Sequence, residues 1–186
     1  MKLSWHHPTL GEFKRDGRWW SGRVNAPAFD AFVHESGHPA PEGMYDLSLI
    51  GEEGADAPPP SAVALAEKIV RDQSALVRKV TAALWEDFNG RGHESGMWWH
   101  GDVSQVGDMM AGYGPKPASA DELLKWMRLS SIAIRDDAGG CDGIVAELDF
   151  HAAFEEEHGV GVLTNGERIL GAGYIGDVTA YGFEYG

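Results

Sequence analysis

Cysteine, basic residues and long apolar runs are all scarce in this sequence. Cys141 is its one cysteine, so no internal disulfide can form and a disulfide-stapled secreted class is excluded. No apolar run is long enough to span a membrane, and the stretch from Met1 to Pro8 lacks the apolar core of a signal peptide. We therefore expect a cytoplasmic protein with no membrane partner.

The shortage of basic residues sets the net charge. Lysine and arginine total 15 against 29 aspartates and glutamates, which gives a formal charge of −14 with neutral histidines. That charge repels the phosphates of nucleic acids, so we expect no nucleic-acid partner. It would steer a basic protein partner toward this chain, but an acidic solvated surface with no partner is equally compatible with it.

Length and composition are those of one ordinary globular domain. The chain has 186 residues, of which 43% are hydrophobic and 24% charged, which is enough to bury a core and unlike a disordered chain. We predict a single domain over residues 1–186. Nothing in the sequence indicates an oligomeric state.

Strand patterns occupy both ends of the chain. The stretch from Gly11 to Val24 predicts a β-hairpin around Gly17, and the stretch from Met44 to Ile50 alternates apolar with polar residues as a half-buried strand does. A C-terminal meander with a hairpin turn at residues 165–166 is predicted from four further strands: Leu129–Arg135, Ile144–Phe150, Val160–Thr164 and Arg168–Tyr174.

The middle of the chain has helical spacing. After Ser61, a predicted N-cap, apolar residues recur every three or four positions until Asn89. Asp72-Gln73-Ser74 is the predicted division between two helices, although one long helix over 61–89 is an open alternative. Ser119 and Glu122 have the spacing of a capping box, which predicts a short helix. Together these elements predict an α+β fold, with a largely antiparallel sheet and two or three helices packed on one face.

The densest group of polar side chains follows the second strand of the meander. Histidine and carboxylate pairs perform acid–base catalysis near neutral pH, so His158, with Glu157 beside it and His151 nearby, is the catalytic candidate. The same side chains are possible metal ligands, but their spacing matches no strong metal motif, and we assign no metal and no cofactor. We favour the alternative of a tight turn in which Gly159 adopts a positive φ and the glutamates face water.

Residues 91–117 are rich in glycine and proline and are predicted to be an irregular insertion. Trp98 and Trp99, flanked by His93 and His100, are its predicted binding residues, because adjacent tryptophans anchor many protein interfaces. The two tryptophans can instead pin the loop onto its own domain. Since exposed aromatic patches are costly to a monomer, we favour that second interpretation.

The segment from Phe154 to Val162 is the most distinctive part of the sequence, and it contains Glu157-His158-Gly159. With the hairpin tryptophans and the proline-led helical middle, it resembles a bacterial family of uncharacterised α+β domains whose members carry Glu-His-Gly-apolar-Gly near the C-terminus. This chain has Phe154 where a tryptophan is usual, and it adds the tryptophan-rich insertion. Some members of that family are similar to immunity proteins found beside bacterial toxin genes, which implies a binding role.

Two functions are therefore expected. The first is a non-enzymatic protein-binding module, an immunity or antitoxin-like protein that neutralises a basic bacterial toxin by means of its acidic charge. The alternative is a small hydrolytic or metal-dependent enzyme that uses Glu157 and His158.

Overall fold

The computed structural model describes residues 3–34, 42–89, 115–136, 138 and 140–180. Within these ranges the strands are β1 Ser4–His7, β2 Gly11–Asp16, β3 Trp19–Asn25, β4 Met44–Ile50, β5 Met127–Arg135, β6 Val145–Ala152, β7 Glu155–Thr164 and β8 Ile169–Tyr174. The α-helices are α1 Pro60–Arg71, α2 Gln73–Phe88 and α3 Ala120–Leu123, and 3-10 helices span Pro27–Ala31 and Leu124–Trp126.

The eight strands form one sheet in which every strand lies beside its neighbour in the sequence. All neighbouring pairs are antiparallel except β4 and β5, which run parallel. A parallel pair needs a long crossover, and here the connection contains α1, α2 and α3. The predicted α+β class with a largely antiparallel sheet is confirmed.

The two faces of the sheet differ in chemistry. Because side chains alternate along a strand, the cross-strand register separates two sets of residues. The apolar face contains the continuous row Leu47, Ile132, Leu148, Val162 and Ala172. The polar face contains two rows, which are Ser21, Ser48, Ala133, Glu147, Leu163 and Gly171, and Arg23, Asp46, Ser131, Asp149, Gly161 and Gly173.

The main core includes the apolar face. Its buried side chains form one cluster that also takes in the inward residues of α1 and α2, such as Ile69 and Leu84. Helix α1 contacts β4, β5 and β6, whereas α2 contacts β8. No helix within the described ranges is both long enough and apolar enough to cross a bilayer.

Several predicted boundaries are confirmed. The first hairpin turns at Gly17 with a positive φ of 60°, and β4 spans the residues predicted for it. Two helices are present, separated at Asp72. The prediction of Ser61 as the N-cap is wrong, because α1 begins at Pro60, a residue whose fixed φ suits the first helical position.

Two strands differ from the prediction. Strand β1 was not predicted, since its four residues carry only a short polar alternation. Strand β7 begins at Glu155, five residues before the predicted Val160, and its register with β6 shifts between Phe150 and Ala152. Acidic residues that are typical of a loop are therefore part of the sheet.

Candidate functional site

The predicted binding residues of the insertion are not among the described residues. His93, Trp98, Trp99 and His100 all fall between residues 90 and 114, which lie outside the described ranges. Their role stays a prediction. The catalytic candidates, in contrast, lie in β6 and β7.

His158 is paired with Glu155, which is three residues earlier on the same strand. The Nδ1 atom of His158 lies 2.9 Å from Oε1 of Glu155, and the same carboxylate oxygen accepts the backbone N–H of His158 at 3.3 Å. The Glu155 side chain is 11% exposed and the His158 side chain 54%. A largely buried carboxylate thus orients an exposed imidazole, whose ring centroid lies 5.0 Å from that of Tyr174.

Carboxylates surround His158 and determine its protonation. Hydrogen bonding to Glu155 is the main cause that raises the pKa of His158; desolvation opposes it, and the charges of Glu155, Glu157 and Asp177 raise the pKa further. Glu157 and Asp177 are both exposed. We call Glu155, Glu157, His158 and Asp177 the acidic surface, since three carboxylates there produce a locally negative potential.

The other catalytic candidates lie apart from this pairing. Glu157 influences His158 through its charge, whereas the hydrogen bond belongs to Glu155. His151 is an exposed residue of β6, placed opposite Arg128 by the strand register. The carboxylate that contacts His158 is therefore Glu155, which was not among the predicted site residues, and the catalytic role of His158 stays a prediction.

Gly159 has the backbone conformation that the sequence predicted. Its φ is +67°, a backbone conformation that residues other than glycine rarely adopt. A Cβ at this position would also lie 2.6 Å from Ile175 Cδ1 and 2.7 Å from the carbonyl oxygen of Phe150. Gly159 is thus required by both its φ and the close approach of its neighbours, but it lies inside β7 rather than in a turn before it.

A second ionisable cluster lies on the polar face of β5 and β6, and we call it the carboxylate pair after Glu147 and Asp149. Glu147 is 2% exposed, and its Oε2 lies 2.8 Å from an Arg135 guanidinium nitrogen. Oδ2 of Asp149 accepts a hydrogen bond from the Ser131 hydroxyl at 2.7 Å, whereas its Oδ1 atom is buried and has no hydrogen-bond partner among the described residues. Burial is the main cause that raises the pKa of Asp149 to about 6.

Neither cluster has the composition of a metal centre. In the described part of the chain, no three histidine, cysteine, aspartate or glutamate side chains gather closely enough to hold a metal ion. The carboxylate pair already has Arg135 as its cationic partner. What the two clusters offer chemically is a negative exposed surface at His158 and a partly unsatisfied buried acid at Asp149.

The pairing of Glu147 with Asp149 was not predicted from the sequence. One signal was present, because residues two apart in a strand face the same side, so Glu147 and Asp149 had to share a face. Their partners Arg135 and Ser131 come from the neighbouring strand, and their burial depends on residues that follow β8.

Comparison with known proteins gave one positive result. Neither a search of the curated proteins nor a search of the solved structures gave a match. The profile of the family described as Domain of unknown function (DUF6985) matches residues 9–179, which includes the whole sheet except β1. The chain therefore belongs to the DUF6985 family.

Proposed function

We propose that this domain is a non-enzymatic protein-binding module that takes a basic protein partner on its acidic surface. The observation that carries the proposal is the group of carboxylates around His158, two of which are exposed. In the described part of the chain no basic side chain pairs with Glu157 or Asp177. These carboxylates are therefore available to a partner, and the net charge of −14 would accelerate its approach.

The exposed imidazole adds a recognition element to this surface. Its raised pKa keeps His158 partly protonated near neutral pH, with Glu155 holding the ring in place. Charges that are already oriented cost less conformational entropy on binding than mobile ones. We further infer that α1 and α2 cover the apolar face, which leaves the margin of β7 open to solvent.

An immunity-type role is the form of binding that we propose. Many proteins that attack nucleic acids carry basic surfaces, because they must bind phosphates. An acidic domain that covers such a surface would block the activity without any chemistry of its own. A cytoplasmic location, predicted from the sequence, suits that role.

The test compares two double variants that remove the same charge. Glu157→Gln with Asp177→Asn alters the acidic surface, whereas Glu53→Gln with Asp56→Asn removes two exposed carboxylates elsewhere. A partner recovered from the native cells is purified and its affinity measured by calorimetry at low and high salt. We expect the first double variant to weaken binding about 5- to 30-fold, because each exposed charge at the edge of an interface contributes ~0.5–1 kcal/mol to the binding free energy.

Three results would contradict the proposal. They are equal affinities for the two double variants, no loss of affinity as salt rises, and an acidic partner. For the immunity role, expression of the partner alone should arrest growth and co-expression of this domain should restore it. Growth arrest that persists on co-expression would exclude that role but leave the binding function intact.

A second candidate function is favoured by the hydrogen bond between Glu155 and His158. A carboxylate that orients an imidazole is the usual arrangement of a general base, so a small hydrolytic enzyme is the alternative, with Glu155 in the role first assigned to Glu157. Against it, an imidazole that is 54% exposed lacks the water-excluded setting that strengthens catalytic electrostatics. Hydrolysis of p-nitrophenyl acetate that is lost in His158→Gln would support the enzyme, and equal rates would exclude this use of His158.

A further inference from the structure

The residues that follow β8 turn back over the polar face of the sheet, and we call residues 175–179 the strap. A Cβ on Gly171 of β8 would lie 2.0 Å from the carbonyl oxygen of Thr179. A Cβ on Gly161 of β7 would lie 3.4 Å from both Ile175 Cα and Val178 Cγ1. Glycines therefore stand on β7 and β8 where the strap passes, since a side chain would occupy its place.

The strap is held at two points. Oε1 of Glu147 accepts the backbone N–H of Gly176 at 2.9 Å. Val178 is 4% exposed and packs in a small second cluster with Ala138, Val145 and Leu163. The polar contact at Gly176 is thus made by a buried carboxylate, whose other oxygen is bound by Arg135.

Asp149 disturbs that attachment. It lies two residues beyond Glu147 on the same face of β6, and the charge of Arg135, which pairs with the buried Glu147, also acts on the partly buried Asp149. Negative charges on two side chains of one strand face repel each other, and the repulsion is stronger where water is partly excluded. The only hydrogen bond of the Asp149 side chain in the described structure comes from Ser131, and it satisfies one of its two oxygens.

We propose that the strap is a proton-controlled latch, in which proton uptake by Asp149 tightens the hold of Glu147 on Gly176 and proton release loosens it. A neutral Asp149 removes the repulsion on Glu147 and no longer draws on the positive charge of Arg135. A charged Asp149 competes with Glu147 for Arg135. The inference does not depend on the proposed binding function.

The pH window follows from the groups that face Asp149. Those that act on its charge are Glu147 on β6 and Ser131 and Arg135 on β5, and Asp46 of β4 lies in the same cross-strand row. His151 follows two residues later on β6, and Asp177 on the strap acts on the charge of His158. Burial and the charge of Glu147 raise the pKa of Asp149 to about 6, against the lowering effects of Ser131 and Arg135. A carboxyl with a raised pKa contributes stability below its ordinary pKa and loses it as the pH rises through about 6. The strap is therefore tightly held at pH 5 and more loosely held at pH 7.5.

Amide hydrogen exchange at Gly176 measures the latch directly. After correction for the intrinsic exchange rate, we expect protection of this amide to fall by at least about threefold between pH 5 and pH 7.5. The fall between these two pH values is limited to about tenfold, because at pH 5 the pH is only about one unit below the pKa of Asp149, which is about 6. In Asp149→Asn, protection should stay high and independent of pH, whereas Asp46→Asn should keep the wild-type dependence.

Two results would overturn the latch. One is wild-type pH dependence in Asp149→Asn, and the other is constant protection in the unmodified protein. If the variant does not fold, NMR titration of the unmodified protein decides the question. The Asp149 carboxyl carbon and the Gly176 amide must then titrate with the same midpoint, and different midpoints would refute the coupling.

Discussion

The two faces of the sheet serve different purposes. On the apolar face, Leu148 and Val162 are fully buried in the main cluster of hydrophobic side chains. On the polar face, the same strands place Glu147 and Asp149 beneath a strap, where charge is retained at a cost. The comparison indicates that one face provides the stability of the fold and the other holds groups whose retention lowers it, as functional sites often do.

The largest effect that this comparison predicts is at Leu148. Truncation in Leu148→Ala removes a fully buried side chain from the apolar face and leaves a cavity, so the free energy of unfolding should fall by about 2–5 kcal/mol. Chemical denaturation measures it. The matched control is the next residue, because Asp149→Asn changes the other face and should have the opposite sign at neutral pH. A loss of less than about 1 kcal/mol in Leu148→Ala would mean that the apolar face is not the main source of stability.

Asp149→Asn should stabilise the protein above pH 6. With the pKa of Asp149 at about 6 in the folded protein, ionisation at pH 7.5 costs up to about 3 kcal/mol relative to a carboxyl of ordinary pKa. The difference in unfolding free energy between variant and wild type should therefore grow between about pH 4 and pH 6, level off above pH 6 and vanish below the ordinary carboxyl pKa. A variant that is less stable than wild type at pH 7.5 would show that the charge of Asp149 is well satisfied.

Gly171→Ala tests whether the strap requires a residue without a side chain beneath it. The added Cβ would lie 2.0 Å from the carbonyl oxygen of Thr179, so the strap must move, at a cost of roughly 1–3 kcal/mol. Protection of the Gly176 amide should be lost at every pH. Ser21→Thr is the control, because it adds one heavy atom in the same cross-strand row but on β3, three strands away from Glu147. Equal effects of the two substitutions would argue against a specific fit of the strap.

Much of the fold could be predicted from the sequence, because a strand with one apolar face and one polar face has alternating apolar and polar residues. Strand β4 is the clearest case, and the division of the helical region at Asp72 follows the same logic of local pattern. The pairing of Glu155 with His158 could not be predicted, since residues three apart point to opposite faces of a regular strand. It arises because β7 takes five residue steps from Glu155 to Val160 while β6 takes two between their partners Ala152 and Phe150. That irregularity depends on pairing between strands, which no local pattern reports.

The raised pKa of Asp149 was equally hidden from the sequence. The sequence shows Glu147 and Asp149 two residues apart in a predicted strand, but it does not show how far each side chain is removed from solvent. Glu147 is covered because Gly176 reaches it from 29 positions away, and Asp149 has its one bond from Ser131, 18 positions earlier. Electrostatic properties of this kind depend on what surrounds a group in space rather than in sequence.

The smallest predicted effect is a change in the pKa of His158, an exposed residue of β7. Because Glu155 makes the hydrogen bond and Glu157 acts through charge alone, Glu155→Gln should lower the pKa of His158 more than Glu157→Gln does. The sign follows from the raised pKa: the bond stabilises the folded protein most below the ordinary histidine pKa, and that contribution is lost as the pH rises through the folded value. NMR titration of the imidazole Hε1 proton measures both variants. If Glu157→Gln had the larger effect, the pairing of sequence neighbours would be correct after all, and the acidic surface would have to be redrawn around Glu157.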